Sequence, residues 1–558
     1  MRLLSHLILT SLIAVSALST TSIKAQTVYT NVNGYTLTSP AGQDAQLEQF
    51  SAFAVRNGKF IAMGDANLTQ QFPNFKQVDL NGKTVLPGLI DAHGHVLGLG
   101  LSLLQVDLRE SKSASDAVSA VNAYAQQHGD LKWIKGRGWN QENWPSKRFP
   151  TAKQLDEFVA DRPVVLTRVD AHAVWLNSKA LEIAGITSET VAPDGGQIIK
   201  DAEGNPTGIL IDNAMNLIEA HIPEPTASEK KQAFQLAFDH LLSVGITSVH
   251  DAGVPAVDLS IYKGMQHQGA MPMRVYPMIA ATEPQLPQLL AEGPYRSDDD
   301  KLFIRSVKIY ADGALGSRGA ALLEPYSDDH DNHGLLVTSV DNIRQLYELI
   351  IPYGFQINTH AIGDRANRIA LDAFAEFYQT LGGRNLRNRI EHAQIVNVDD
   401  LNRFKDLNII ASMQPTHATS DKNMAEARLG KARMEGAYAW HTLLEQGTII
   451  AAGSDFPVEL ANPFYGLHAA VTRQDRQDMP AGGWYAEESM SLEQALRAFT
   501  IDAAYAGWQE DTLGSIEPGK WADFIVLDRD PFATNAKEIW QVGVEQTFVA
   551  GEQVFSNE

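Results

Sequence analysis

Pro87-Gly88-Leu89-Ile90-Asp91-Ala92-His93-Gly94-His95 is an apolar run that ends in two histidines spaced by one residue. On an extended chain, alternate side chains share a face, so His93 and His95 point the same way at the strand end. Two converging imidazoles make half of a metal site. Taken alone, the pair is better read as two hydrogen-bonded histidines.

Further runs of the same kind follow. Gln356-Ile357-Asn358-Thr359-His360 and Arg389-Ile390-Glu391-His392 each end in histidine, and Ile449-Ile450-Ala451-Ala452-Gly453-Ser454-Asp455 ends in aspartate. Val307-Lys308-Ile309-Tyr310 puts a lysine inside an apolar strand, where an unpartnered ammonium is costly. Eight short apolar runs alternate with amphipathic stretches: Val85–Ile90, Ile246–Val249, Arg274–Ile279, Ile304–Ile309, Phe355–Asn358, Asn388–Ile390, Ile409–Met413 and Ile449–Ala452. Eight strand–helix units predict an α/β fold, a (β/α)8 TIM-like barrel, in which all strand C-termini open on one mouth. Ligands far apart in sequence then meet in space.

Outward from the barrel, the expected organisation is a signal peptide over residues 1–25 and a β-sandwich formed by residues 26–84 and 511–558. The barrel spans 85–510, with an insert of about 105–240 after its first strand, over the barrel mouth. The insert has strand signals of its own at Trp133-Ile134 and Val164–Thr167, and a hairpin near Pro193–Gly196. Arg2, the apolar run Leu7–Leu18 and a cleavage site after Ala25 read as export, which predicts a periplasmic or extracellular protein.

A net charge of −22 over 558 residues disfavours nucleic acid and anionic membrane surfaces as partners. A small-molecule substrate is expected, with no stable membrane association. The oligomeric state is open, a homodimer among the alternatives. The absence of cysteine excludes disulfides and thiolate sites, so a metal has to be held by histidine, carboxylate or a modified side chain.

The chain resembles the amidohydrolase superfamily, in particular its amidohydrolase-3 branch of N-substituted formamide deformylase-like proteins. The resemblance is carried by Pro87–His95, Val307–Arg318 (VKIYADGALGSR), Asn358–Asp364 (NTHAIGD), Arg389–Gln394 (RIEHAQ), Gly453–Pro457 (GSDFP) and Gly514–Leu527 (GSIEPGKWADFIVL). It implies a binuclear divalent-metal centre, usually zinc. His93, His95 and Asp455 would hold one ion and His360 and His392 the other. Lys308, carboxylated on its amine, would bridge both; the plainer reading of Lys308 is a buried ion pair, for instance with Asp312.

The expected activity is hydrolysis of a non-peptide carbon–nitrogen bond of amide, N-acyl or N-formyl type. A metal-activated hydroxide would attack, with Asp455 as proton shuttle. The alternatives are lactone, cyclic imide or carbamate hydrolysis on the same centre, and a non-catalytic periplasmic binding protein. His172, in the insert, is a second catalytic candidate, and a histidine satisfied within the insert is its plainer reading. Arg318, Ser317, His417 and Trp139 are candidate substrate contacts. His250 and Asp251 are expected to support the metal ligands.

Overall fold

The computed structural model describes residues 26–38, 46–129 and 131–557. The export segment expected over 1–25 lies outside the described residues. Among the described residues, no helix is long and apolar enough to cross a membrane.

Eight parallel strands form the central sheet: β1 Leu89–Gly94, β2 Ile246–Val254, β3 Arg274–Ala280, β4 Ser306–Tyr310, β5 Gln356–Ala361, β6 Arg389–His392, β7 Ile410–Met413 and β8 Ile450–Ala452. They pair in sequence order from β1 to β8. The seam between β8 and β1 is drawn together by Asp455 N–H donating to His93 O (2.7 Å) and His95 N–H donating to Phe456 O (2.8 Å). The fold is a nearly closed eight-stranded barrel of mixed α/β type.

These strands are buried on both faces, with side chains in the barrel and helices outside, so they read as apolar runs rather than alternating ones. The helix Asp364–Thr380 after β5 shows why helices follow. Ala366, Ala370, Leu371, Ala373, Phe374 and Phe377 recur at helical spacing and are buried against the barrel. Ala227–Ser243, which leads into β2, begins with a capping box. The Thr226 side chain accepts from Glu229 N–H while the Glu229 carboxylate accepts from Thr226 N–H.

The first expected strand, Val85–Ile90, divides in two. Thr84–Pro87 pairs antiparallel with Phe524–Leu527, and β1 starts only at Leu89. Gly88 is the crossing point, where a Cβ would lie 2.2 Å from Thr247 Oγ1, so no larger residue fits between the two sheets. The run Ile304–Ile309 divides likewise. Phe303–Ile304 pairs with Tyr295–Arg296, and the barrel strand begins at Ser306.

Strands from both chain ends meet in a six-stranded sheet, ordered Glu552–Ser556, Val544–Val549, Phe524–Leu527, Thr84–Pro87, Asn33–Leu37 and Leu47–Phe50. A four-stranded sheet of Lys59–Gly64, Ala52–Arg56, Thr27–Thr30 and Lys76–Asp79 accompanies it. Tyr29 and Phe53 from the smaller sheet and Phe524 and Phe548 from the larger share one aromatic cluster.

Between β1 and β2 the chain builds a separate mixed sheet. Its order is Gly196–Lys200, Pro206–Asp212, Ala173–Leu176, Val164–Arg168, Ile134–Trp139 and Val106–Asp107. Its core packs Trp139, Trp144 and Trp175. The turn at Pro193–Gly196 leads into the hairpin; the tip is residues 201–205.

Candidate metal centre

The C-terminal ends of the barrel strands deliver their polar side chains to one cavity of about 630 Å³. The insert closes over it, with Arg137 Nε donating to Pro457 O (3.3 Å) and the His172 ring 5.5 Å from that of His360.

Asp455 is the hub. His95 Nε2 lies 3.1 Å and His93 Nε2 3.6 Å from its Oδ1. His417 Nε2 lies 3.7 Å and His392 Nδ1 4.0 Å from its Oδ2. Two triads result, His93–His95–Asp455 and His392–His417–Asp455, each with its ligand atoms within 4.8 Å of one another. Lys308 Nζ sits 3.1 Å from His93 Nε2, and the His360 ring is 4.6 Å from that of His392. All six expected metal ligands are thus gathered, and His417, expected only at the substrate, joins them. His360 differs from the expectation: its Nε2 is 3.4 Å from Asp312 Oδ1 and belongs to neither triad.

Second partners fix the rings. His93 Nδ1 pairs with Glu391 at 2.5 Å, His95 Nδ1 donates to Ala252 O at 2.9 Å, and His392 Nδ1 meets Gln414 Oε1 at 2.8 Å. Asp91 braces the β1–β8 seam by accepting from Ser454 Oγ (2.7 Å) and from the His93 and Ser454 N–H groups. His250 Nδ1 contacts Arg389 Nη1 (3.1 Å), and Asp251 accepts from Val96 N–H and the Tyr262 hydroxyl, so both sit behind the ligands. The Lys308–Asp312 ion pair does not form. Asp312 accepts instead from the N–H groups of Ala321, Ile362 and Gly363 at 2.8–3.0 Å.

The electrostatics suit a cation. Burial, helped by the Lys308 charge, pushes His93 down to about 4. Burial and the neighbouring rings hold His392 well below the usual histidine range. Neutral imidazoles are the form that ligates. Burial brings Lys308 down to about 8. Burial alone would raise Asp455, but the His95 hydrogen bond and the histidine charges hold it well below the usual carboxylate range.

His360 Nε2 and His417 Nε2 are buried with no hydrogen-bond partner, which is costly in a protein interior. A divalent cation is what this donor set fits. His392 and Asp455 also hold left-handed backbone, φ 75° and 60°, which costs a non-glycine residue about 1–2 kcal/mol.

Above the centre, His172 Nδ1 bonds Asp212 Oδ1 at 2.6 Å. Burial works against protonation there, but Asp212, with Asp170 and Asp312 behind it, lifts His172 to about 9. The glycines of the loop after β4 make room for Asp212: a Cβ on Gly319 would lie 2.3 Å from its Oδ2.

Three expected substrate contacts are placed elsewhere. Arg318 turns outward to Asp328 (3.2 and 3.0 Å), on a reversed backbone with φ 63°. Ser317 is buried and donates to Ala314 O (3.2 Å). Trp139 is buried in the insert core and donates to Leu166 O (2.8 Å). A β-bulge between Arg137 and Trp139, with Gly138 at φ 105°, breaks the strand alternation between those two residues, and Arg137 lines the cavity instead. His172 and His417 also line it. His128, His267 and His330 are exposed on the surface.

The Amidohydrolase family model matches residues 76–555. The chain belongs to the amidohydrolase family. It is 34% identical to the Arabidopsis thaliana protein LONG AFTER FAR-RED 3, over 92% of this chain and 89% of that one. It is 33% identical to the putative amidohydrolase YtcJ of Bacillus subtilis, over 87% and 91% respectively. An N-substituted formamide deformylase of Arthrobacter pascens is 27% identical, over 91% and 95%. Among solved structures, a metal-dependent hydrolase of Pyrococcus horikoshii superposes with a TM-score of 0.73 at 28% identity, over 92% of this chain and 99% of that one. This amidohydrolase is therefore a metal-dependent hydrolase, and the barrel mouth carries its candidate divalent-cation site. Glu391, Gln414 and Asp312 carry no separate sequence signal. They are legible only as neighbours within the motifs that hold His392, His417 and Lys308.

Proposed function

We propose that the protein hydrolyses a non-peptide carbon–nitrogen bond of amide, N-acyl or N-formyl type in a small molecule. The observation that carries this reading is the set of ligand atoms gathered on Asp455 in a cavity that His172, bonded to Asp212, also lines. The similarity to an N-substituted formamide deformylase points to the same bond class.

His93, His95 and Asp455 would hold one zinc-type ion, and His392 with His360 and His417 a second. Bound divalent cations supply Lewis acidity, which acidifies water and polarises a carbonyl oxygen. The rest is done by the chain. Asp455 accepts the proton of the attacking water and passes it to the departing nitrogen. His172, kept cationic by Asp212, donates a hydrogen bond to the carbonyl oxygen as negative charge develops on it. Lys308, with its ammonium disfavoured by burial, has neutral amine available to add CO2 with loss of a proton. The resulting carbamate would offer two oxygens where the structure has a nitrogen beside His93.

We also propose that this chemistry takes place outside the cytoplasm, because Arg2 and the apolar run Leu7–Leu18 read as an export signal.

The test is a panel of N-acyl amino acids, N-formyl amines, lactams, lactones and carbamates offered to the mature protein reconstituted with zinc. Amine release from open-chain amides, abolished by chelation and restored by zinc, is expected. Turnover of lactones alone, or turnover that survives chelation, would contradict the reading.

A further inference from the structure

Arg137 lies on the insert strand Ile134–Trp139 and lines the cavity beside the metal centre. It is held by main chain only: Nε donates to Pro457 O (3.3 Å) and Nη2 to Val169 O (2.7 Å). Those two bonds fix the plane of the guanidinium. Nη1 makes no hydrogen bond to any described residue. Among the described residues, no carboxylate comes within ion-pair distance of it.

The carboxylates that influence Arg137 most are committed elsewhere. Asp455 is surrounded by histidines, and Asp170 is paired with Arg168 and accepts from His172 N–H. The cavity's other arginines are accounted for. Arg109 has Asp107, Arg168 has Asp170, and Arg476 is exposed at the rim over the Tyr465 ring. Glu459 and Asp421 also line the cavity. Each accepts a hydroxyl, from Ser420 (2.5 Å) and Tyr438 (2.6 Å), and burial raises them to about 7 and about 6. Burial lowers Arg137 as well, to about 10, which leaves it cationic at neutral pH.

An oriented guanidinium facing a ligand cavity, with no acid of its own, is a recognition element for a planar anion. We infer that Arg137 anchors a carboxylate carried by the substrate next to the scissile bond, so that the substrate class is an N-acylated amino acid or a similar amide acid. This rests on the amide-hydrolysis reading above and narrows it.

The test uses matched pairs: one acyl group on an amino acid, and the same acyl group on the corresponding amine without the carboxylate. Wild-type enzyme should prefer the acid by about 10- to 100-fold in kcat/KM, the range of a charge-assisted hydrogen bond. Arg137→Met should collapse that ratio towards one, chiefly through KM for the acid. Arg137→Lys, which keeps the charge but not the fork, should fall between. A wild-type enzyme indifferent to the carboxylate overturns the inference, whether or not the variants fold. So does an Arg137→Met enzyme that loses both substrates equally, which would mean that the arginine only braces Val169 and Pro457. If wild type hydrolyses neither member, the amide reading fails, and the anion site is judged by calorimetry with N-acetylglycine and N-methylacetamide. Selective binding of N-acetylglycine by wild type, lost in Arg137→Met, supports the site; equal binding by both proteins refutes it.

Discussion

The cavity has two walls, and each carries a histidine bonded to a carboxylate. On the barrel floor His93 meets Glu391 at 2.5 Å; on the insert His172 meets Asp212 at 2.6 Å. The pairs look alike and titrate oppositely, His93 held at about 4 and His172 lifted to about 9. The His93 side chain is 0% exposed with Lys308 against it, whereas that of His172 is 18% exposed and the charges behind it are Asp170 and Asp312. A carboxylate neighbour therefore does not by itself make an imidazolium; the next charge outward decides. On the proposed reading, the floor suits ligation by neutral rings and the insert suits donation by a charged one.

The comparison can be broken from the floor upward. Asp455→Asn, which removes the charge shared by both triads, should lower kcat by about 10⁴-fold or more while circular dichroism shows an unchanged fold. Full activity in that variant would remove Asp455 as proton carrier.

Lys308→Ala should lose about 10³-fold, with partial recovery in millimolar acetate or propionate, whose oxygens can take the carbamate's place. Absence of rescue by any short acid would count against carboxylation.

His172→Asn, on the other wall, should cost about 10²–10³-fold in kcat, the worth of one donor to a developing oxyanion. A change confined to KM would make it a binding residue only.

Asp212→Asn sharpens the comparison. It should move the alkaline limit of activity from about 9 towards the usual histidine range. Stability follows the same sign. A raised folded pKa stabilises fully below the unfolded value near 6.5, and that contribution is lost as pH rises through about 9. The urea midpoints of wild type and Asp212→Asn should therefore differ most at about pH 6 and converge above about pH 9. Parallel curves would refute the assignment of charge to His172.

Arg318→Ala should change little, under about threefold in kcat/KM, because its partner is Asp328 on the surface rather than substrate.

The floor was legible in the sequence, and so were the main strands of the insert, but not which insert residues face the cavity. β1, β4, β5, β6 and β8 announce themselves because a buried parallel strand must be apolar, so a histidine, lysine or aspartate in it or just beyond it stands out. The pairing of His417 with His392 and Asp455 depends on how the helix Pro415–Asp421 returns over the mouth, which local pattern does not encode. Arg318 misleads because the Gly316–Gly319 loop that carries it reverses direction at φ 63°. Trp139 misleads because one bulge at Gly138 resets the alternation on which a strand reading relies, leaving Arg137 at the cavity and Trp139 in the insert core. The split at Gly88 was hidden for a related reason: two strands of different sheets abut without an intervening polar turn.

The most direct test of the account is an anomalous difference map from crystals of the protein grown with zinc. Peaks between His93, His95 and Asp455 and beside His392 are predicted, with extra density on the Lys308 amine. A map with no peak at Asp455, in protein that still turns over substrate, would contradict it.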